Sequence, residues 1–419
     1  MSLFKISSIY LFSNILNALI PFLLLPILTH NLTPNEYGQV AMFQTLISGV
    51  AALTGLNTVG AANRKYYDDM TQSELSIYNG GCIQILFAST FFLLIIVYSL
   101  REQLSEWLNI PTGWVFLAVG VSAGNFIVQF RLGQWQIREK VCNFGALQVT
   151  QSLLSFSLTL IFLLVLKYGV VSRVNALVFA TSIYVVISLI TLSKDNLLEL
   201  FSVRFDYITD ALKFGIPLVP HIIGIFFLSA IDRILINGQL GVSEAGIYML
   251  AVQLSLGMVV FFDAINKALI PWLFRVLSEN DKRKIHRLVK YTYCYFALLI
   301  FLGGLSFWIG PLIVELVAGK NYLRATSVIG WLCLGQAFNG MYLMVTNYIF
   351  YAKNTVHLSV VTILCGVLNI ILLVVMMKIN GIVGVAMAFS FSMCIRFLAT
   401  WWLAFRLNLI QWNIFTKYK

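Results

Sequence analysis

From Ile6 to Phe405 the sequence is a succession of apolar runs, each about as long as a bilayer core is thick, separated by short polar or turn-forming interruptions. The runs fall at about 6–29, 38–60, 78–100, 113–132, 143–166, 171–192, 213–236, 245–266, 289–313, 325–350, 356–377 and 382–405. A helical crossing takes about 20 predominantly apolar residues, and a helix satisfies its own backbone in lipid, so the pattern predicts twelve transmembrane helices. The predicted fold class is therefore all-α and integral to the membrane. With 59% hydrophobic and only 11% charged residues, the chain is far from the roughly 25% charged residues of a soluble domain. Little sequence remains for a catalytic domain in water.

The opening Met1-Ser2-Leu3-Phe4-Lys5 resembles a signal peptide. The run after it continues past Pro26 without an A-x-A-like cleavage site, which predicts a retained first helix. An even number of crossings puts both termini on one side. With the termini in the cytoplasm, 20 of the 28 Lys and Arg residues lie in cytoplasmic connections and 6 in outer ones, so both ends are expected there. The formal charge of +11 is thus a topology signal that points to membrane lipid, with no nucleic-acid partner expected. The charged run 279–284, flanked by Pro271-Trp272-Leu273-Phe274, predicts a surface helix at the headgroup layer, with docking of a cytoplasmic partner as the alternative.

The two halves of the sequence echo each other. Leu32 to Gly38 and Leu240 to Gly246 both read L-x-x-x-E-x-G, at an offset of 208, and Gly169-Val170-Val171 with Ala176 matches Gly381-Ile382-Val383 with Ala388 at an offset of 212. Six helices per half make the repeats parallel, which predicts two lobes, 1–203 and 204–419, around a central cavity. Pro21 and Pro26 in the first helix and Pro217 and Pro220 in the seventh are candidate hinges, or equally static kinks.

Ionisable groups inside membrane segments are costly and normally face protein or a wet cavity. Here they are few: Asp232 and Arg233 in the seventh segment, Asp263 with Lys267 in the eighth and Arg396 in the twelfth, with Arg64 and Arg131 at segment ends. Asp232 and Arg233 either reach the interface or line the cavity, while Asp263 and Lys267, four apart, can satisfy each other. Arg396, about mid-span among apolar residues, points to a cavity role. Amides such as Asn14, Asn17, Asn125, Gln129, Asn266 and Asn347 serve interhelical hydrogen bonds, and an inward-facing subset suits a sugar. The six cysteines are widely spaced fillers, and no metal, nucleotide or hydrolase motif occurs, so no cofactor, metal site or enzymatic activity is expected.

Several stretches carry a family likeness. They are Ser13-Asn14 through Pro21 to Thr29, Leu32-Thr33-Pro34 with Glu36-Tyr37-Gly38, Arg64 with Tyr66-Tyr67-Asp68, Ile231-Asp232-Arg233 with Leu240-Gly241 and Gly246-Ile247-Tyr248, and Gly319 with Tyr322 and Ala325. In these the sequence resembles the Wzx flippases of polysaccharide precursors, within the multidrug/oligosaccharidyl-lipid/polysaccharide exporter superfamily. The resemblance implies translocation of an undecaprenyl-diphosphate-linked oligosaccharide, such as an O-antigen repeat unit, across a bacterial inner membrane. It also implies work beside a polymerase and a chain-length regulator. In that setting Arg64, Arg131, Arg233 and Arg396 are candidates to attract the diphosphate, with Asn14 and Asn125 toward the sugar. Asp232, Asp263 and Lys267 are candidates for gating or ion coupling. The alternative is a cation-coupled multidrug exporter of the same superfamily. For that reading an acidic residue is expected in the first helix, and none lies between Lys5 and Thr29.

Overall fold

The connection after the first helix shows how the chain starts its elements. Thr33 caps the next helix, accepting from the Glu36 amide at 3.3 Å, while Glu36 Oε2 accepts from the Thr33 amide at 2.8 Å, and Pro34 occupies the first helical turn. This reciprocal capping box is the physical content of the T-P-x-E stretch. A second box, Thr71 with Glu74, starts the third span in the same way.

A computed structural model of the chain describes residues 3–279, 281–352, 355–407, Ile410 and Trp412. Among the described residues every regular element is helical. In order these are α1 (Leu3–Asn31), α2 (Pro34–Ala51), α3 (Thr58–Lys65), α4 (Gln72–Ser99), α5 (Arg101–Leu108), α6 (Thr112–Ile137), α7 (Val141–Leu160) and α8 (Val171–Lys194). There follow α9 (Phe205–Gly215), α10 (Val219–Ser229), α11 (Ile231–Leu240), α12 (Val242–Glu279), α13 (Lys282–Val317), α14 (Thr326–Tyr351) and α15 (Thr355–Arg406). Among the described residues, ten helices are long and apolar enough to cross a membrane, or eleven with the bent pair of α2 and the segment through α3 taken as one. Large apolar side chains such as Phe91, Trp308 and Leu316 are exposed, as suits residues whose solvent is lipid.

The twelve expected segments do not map one to one onto helices. The expected second segment breaks at Leu56 and Asn57, both at positive φ. The expected seventh is divided among α9, a 3₁₀ turn holding Pro217, α10 with Pro220 in its first turn, and α11, because prolines cannot donate to the preceding turn and Ala230 is non-helical at φ −141°. The expected eleventh and twelfth run on as α15, interrupted at Asn380 and by Gly381 at φ 56°. A continuous helix of 52 residues spans about 78 Å, more than twice a hydrocarbon core, so this break separates two arms. The expected surface helix around 271–284 is instead the meeting of two long helix ends. Helix α12 continues to Glu279, and Asp281 caps α13 by accepting from the Arg283 amide at 2.8 Å.

By its contacts the chain forms two compact units, 1–246 and 247–419, a division beyond the 203/204 junction of the sequence repeat. The reason is that α9–α11 pack within the first unit. Tyr78 of α4 donates to Asp210 at 2.9 Å, a Cβ on Gly215 is excluded by the Leu56 carbonyl at 2.1 Å, and Asn237 donates to the Trp107 carbonyl at 2.8 Å. The repeat glycines meet in the same unit. A Cβ at Gly38 falls 2.0 Å from the carbonyl of Val242, and one at Gly246 falls 2.1 Å from the carbonyl of Pro34. With the offset of 208, each glycine touches the residue equivalent to the one its counterpart touches. This reciprocal crossing requires both positions to lack a side chain.

The second unit has an aromatic core in which Phe296, Phe397 and Trp401 pack edge to face or stacked. Thr292 and the Tyr348 hydroxyl lie 3.1 Å apart, and Asn347 donates to Asn266 at 2.7 Å. That amide pair serves the interhelical role expected of it.

Candidate functional site

Helices α1, α2, α6, α7 and α8 of the first unit line an open-sided cavity of about 450 Å³. Its walls arise from close packing of α1 on α7, where a Cβ at Gly145 is excluded by the Ser13 hydroxyl at 2.3 Å. One turn further along α1 and two along α7, Ser152 donates to Asn17. Pro21 follows on the same wall, and its missing N–H leaves the Asn17 carbonyl without a helical donor. Helix α2 contributes Gln44 and Ser48, helix α6 contributes Asn125 and Gln129, and helix α7 contributes Gln148, Gln151, Ser152 and Ser155.

The lining mixes amides and hydroxyls with apolar side chains such as Leu24, Val121, Phe156 and Leu177, and among the described residues it is almost free of charge. Gln148 Oε1 is buried without a partner, and the side chains of Asn125, Gln129 and Gln151 make no hydrogen bond among the described residues. Among the described residues the single ionisable one in the lining is Arg173, at the start of α8. Its Nη1 donates to Ser155 Oγ at 3.1 Å and to Thr159 Oγ1 at 3.2 Å. Amides and hydroxyls offer donors and acceptors together, as a sugar requires, and the guanidinium adds a positive charge.

Of the residues singled out from sequence as substrate-binding, Asn125 lies in this cavity, as do the amides Asn17 and Gln129 and the hinge candidate Pro21. The others lie elsewhere. Arg131 is buried at the far end of α6, its Nη2 2.5 Å from Asp195 Oδ2 and its guanidinium 4.0 Å from the centre of the Trp135 ring. Lys140 reaches the same carboxylate oxygen at 3.3 Å. Partial burial raises the Asp195 pKa, but the hydrogen bonds and charges of Arg131 and Lys140 outweigh it and hold the carboxyl below its usual range.

Arg64 is exposed, over the Phe214 ring at 5.8 Å. Asp232 accepts from the Arg233 amide at 2.8 Å, and Arg233 Nη1 donates to the Ser229 carbonyl at 2.5 Å, so the two fill the break between α10 and α11. Asp263 and Lys267 pair at 2.6 Å, as their spacing allows. Arg396 stacks on Tyr342 at 3.8 Å with Nε buried and unpartnered, and Asn14 is half-buried on α1. Pro26 stays within α1. No group of three or more His, Cys, Asp or Glu gathers as metal ligands among the described residues.

Sequence reasoning missed Arg173, Gln44, Gln148 and Gln151. Arg173 looked like an outer-loop cation because it lies two residues inside its helix. The signal for the α7 wall was present: Gln148, Gln151, Ser152, Ser155 and Thr159 form a stripe at helical spacing within a membrane segment.

A family model described as polysaccharide biosynthesis protein matches residues 3–277. The chain belongs to this family. Two Haemophilus influenzae proteins are similar over most of their length. One is described as Lsg locus putative protein 1, 26% identical over 381 residues, covering 89% of this chain and 90% of the relative. The other, an uncharacterized membrane protein, is 25% identical and covers 88% of each. Among solved structures, the lipid II flippase MurJ in an inward closed conformation superposes with a TM-score of 0.75 at 16% identity, covering 96% of this chain and 87% of that one. An inward-facing MATE multidrug transporter of the MOP superfamily gives 0.71 at 16% identity, covering 94% of each. The fold is therefore the multi-pass helical fold that MurJ and the MATE transporter share.

Proposed function

We propose that the protein carries an undecaprenyl-diphosphate-linked oligosaccharide, an O-antigen or related repeat unit, from the cytoplasmic to the periplasmic leaflet of a bacterial inner membrane. The observation that carries the reading is the set of amides and hydroxyls, between apolar side chains, in the cavity of the first unit, with an arginine and, among the described residues, no carboxylate on its walls. The amides and hydroxyls suit a glycan, and the apolar side chains between them suit its ring faces, whereas a cationic drug calls for an acidic residue. Membership of the polysaccharide biosynthesis family supports the same cargo. In this reading the halves 1–203 and 204–419 alternate access around Pro21, Pro26, Pro217 and Pro220, with both termini cytoplasmic. Arg64 and Arg396, which lack carboxylate partners among the described residues, attract the diphosphate. Arg131 and Arg233 first have to leave Asp195 and Asp232. Asp232, Asp263 and Lys267 gate or couple by exchanging ion pairs, and a polymerase and chain-length regulator receive the product.

Deletion of the gene followed by lipid analysis tests this. Accumulation of a complete lipid-linked repeat unit on the cytoplasmic face is expected. Unchanged lipid-linked intermediates with raised sensitivity to cationic drugs overturn the reading in favour of a multidrug exporter.

A further inference from the structure

The balance of charge and hydrogen bonding in the cavity of the first unit selects among sugars. A guanidinium within a membrane bundle is costly unless a counter-charge or dense hydrogen bonding meets it. Arg131 and Arg233 each have a carboxylate within 4 Å. Arg173 has no ion pair among the described residues, and its neighbours Ser155 and Thr159 are neutral acceptors that stabilise the cation without cancelling its charge.

The geometry of those two bonds is asymmetric. Both hydroxyls are reached from Nη1, so Nε and Nη2 make no hydrogen bond among the described residues. These two nitrogens form the side-on edge of the guanidinium, whose parallel N–H bonds match the two oxygens of a carboxylate. The rest of the wall argues against a bare inorganic anion. Asn125, Gln129, Gln148 and Gln151 bring carbonyl oxygens as well as N–H groups, and the Gln148 oxygen is buried without a donor. An anion repels those oxygens, while sugar hydroxyls donate to them. Phe156 gives an apolar surface for a ring face. At about 450 Å³ the cavity also falls within the range of small-molecule sites. A neutral sugar fills the space but leaves the guanidinium edge unpaired.

We propose that this cavity is a subsite for a carboxylate-bearing sugar of the cargo. Arg173 holds the carboxylate through Nε and Nη2, and the amides of α6 and α7 hold the ring hydroxyls. The inference rests on the glycan reading above and narrows it to acidic glycans.

The test is ligand-observed saturation-transfer NMR on the purified full-length protein in lipid nanodiscs, with glucuronate, glucose and acetate as probes. Glucuronate binds at least about tenfold more tightly than either glucose or acetate, in keeping with a charge-assisted bidentate contact. Arg173→Gln brings glucuronate to the level of glucose, and Arg173→Lys keeps part of the preference. Gln151→Ala weakens both sugars alike without changing their ratio, which reads the site even where Arg173→Gln fails to fold. Equal binding of glucuronate and glucose overturns the proposal, as does a preference that survives Arg173→Gln or acetate binding as tight as glucuronate. These results are independent of the deletion phenotype. Accumulation of a neutral lipid-linked repeat unit in the deletion strain overturns the acidic-sugar subsite and leaves the flippase standing. Absence of any accumulation removes the flippase itself.

Discussion

Arg131 and Arg173 sit in the same compact unit and lean on opposite ends of one helix, yet the chain treats them differently. Arg131 is sealed from solvent, stacked on Trp135 and paired with Asp195, which follows the last residue of α8. Arg173 begins that helix and donates to two hydroxyls, with the Tyr37 phenol also within its electrostatic reach and no carboxylate paired with it among the described residues. The first charge is balanced inside the protein and fastens the ends of α6 and α8. The second is balanced only when something else arrives. A buried charge with a built-in counter-ion is part of the scaffold, and one that faces a polar cavity without it is available to a ligand.

The largest effect comes from stripping the counter-ion from the balanced arginine. Asp195→Ala leaves Arg131 charged and buried, so a loss of about 3 kcal/mol in stability is expected, read as a lowered melting midpoint in detergent. The double variant Arg131→Met with Asp195→Leu recovers most of it, because no lone charge remains. A full-strength melting curve for Asp195→Ala alone removes the contrast. The converse change gives Arg173 the carboxylate it lacks. Ser155→Asp pairs it internally and is expected to weaken glucuronate binding about tenfold while the protein stays folded. Undiminished binding places the carboxylate elsewhere.

A third expectation concerns pH. The Asp195 carboxyl is held below its usual range despite partial burial, so its contribution is fully present above about pH 4 and is lost as pH falls through its lower folded value. The melting midpoint therefore drops on acidification more steeply in the native protein than in Asp195→Asn, which has no proton to gain. Parallel curves deny the pair its role. The smallest effect belongs to Lys140, the half-exposed second partner of Asp195. Lys140→Ala is expected to cost under about 1 kcal/mol, and a loss as large as that of Asp195→Ala reverses the assigned order of importance.

The helices were legible because each apolar run declares itself locally, and nearly every expected segment has a helix over it. The breaks were less so. Pro217 and Pro220 announced a bend, but the second break, at Ala230, and the packing of Gly215 against the Leu56 carbonyl are features no local pattern carries. The repeated L-x-x-x-E-x-G was visible as a likeness, while its meaning came from structure. Glu36 closes a capping box, and Gly38 and Gly246 let two backbones cross. Half of the site was similarly within reach. Asn17, Asn125 and Gln129 stood out as amides in apolar runs, and the polar stripe on α7 obeyed helical spacing. Arg173 did not stand out, since a basic residue near a segment end looks the same whether it faces headgroups or a cavity.

The sequence by itself determined that this chain lives in a bilayer as a bundle of helices with an internal repeat, because burial in lipid is a property of consecutive residues. Only the tertiary structure decided which arginines are neutralised and which are left for a ligand. Asp195 finds Arg131 across 64 residues of chain, and the acceptors of Arg173 come from the helix before it. Electrostatic balance is set by distances in space, which the order of residues does not contain.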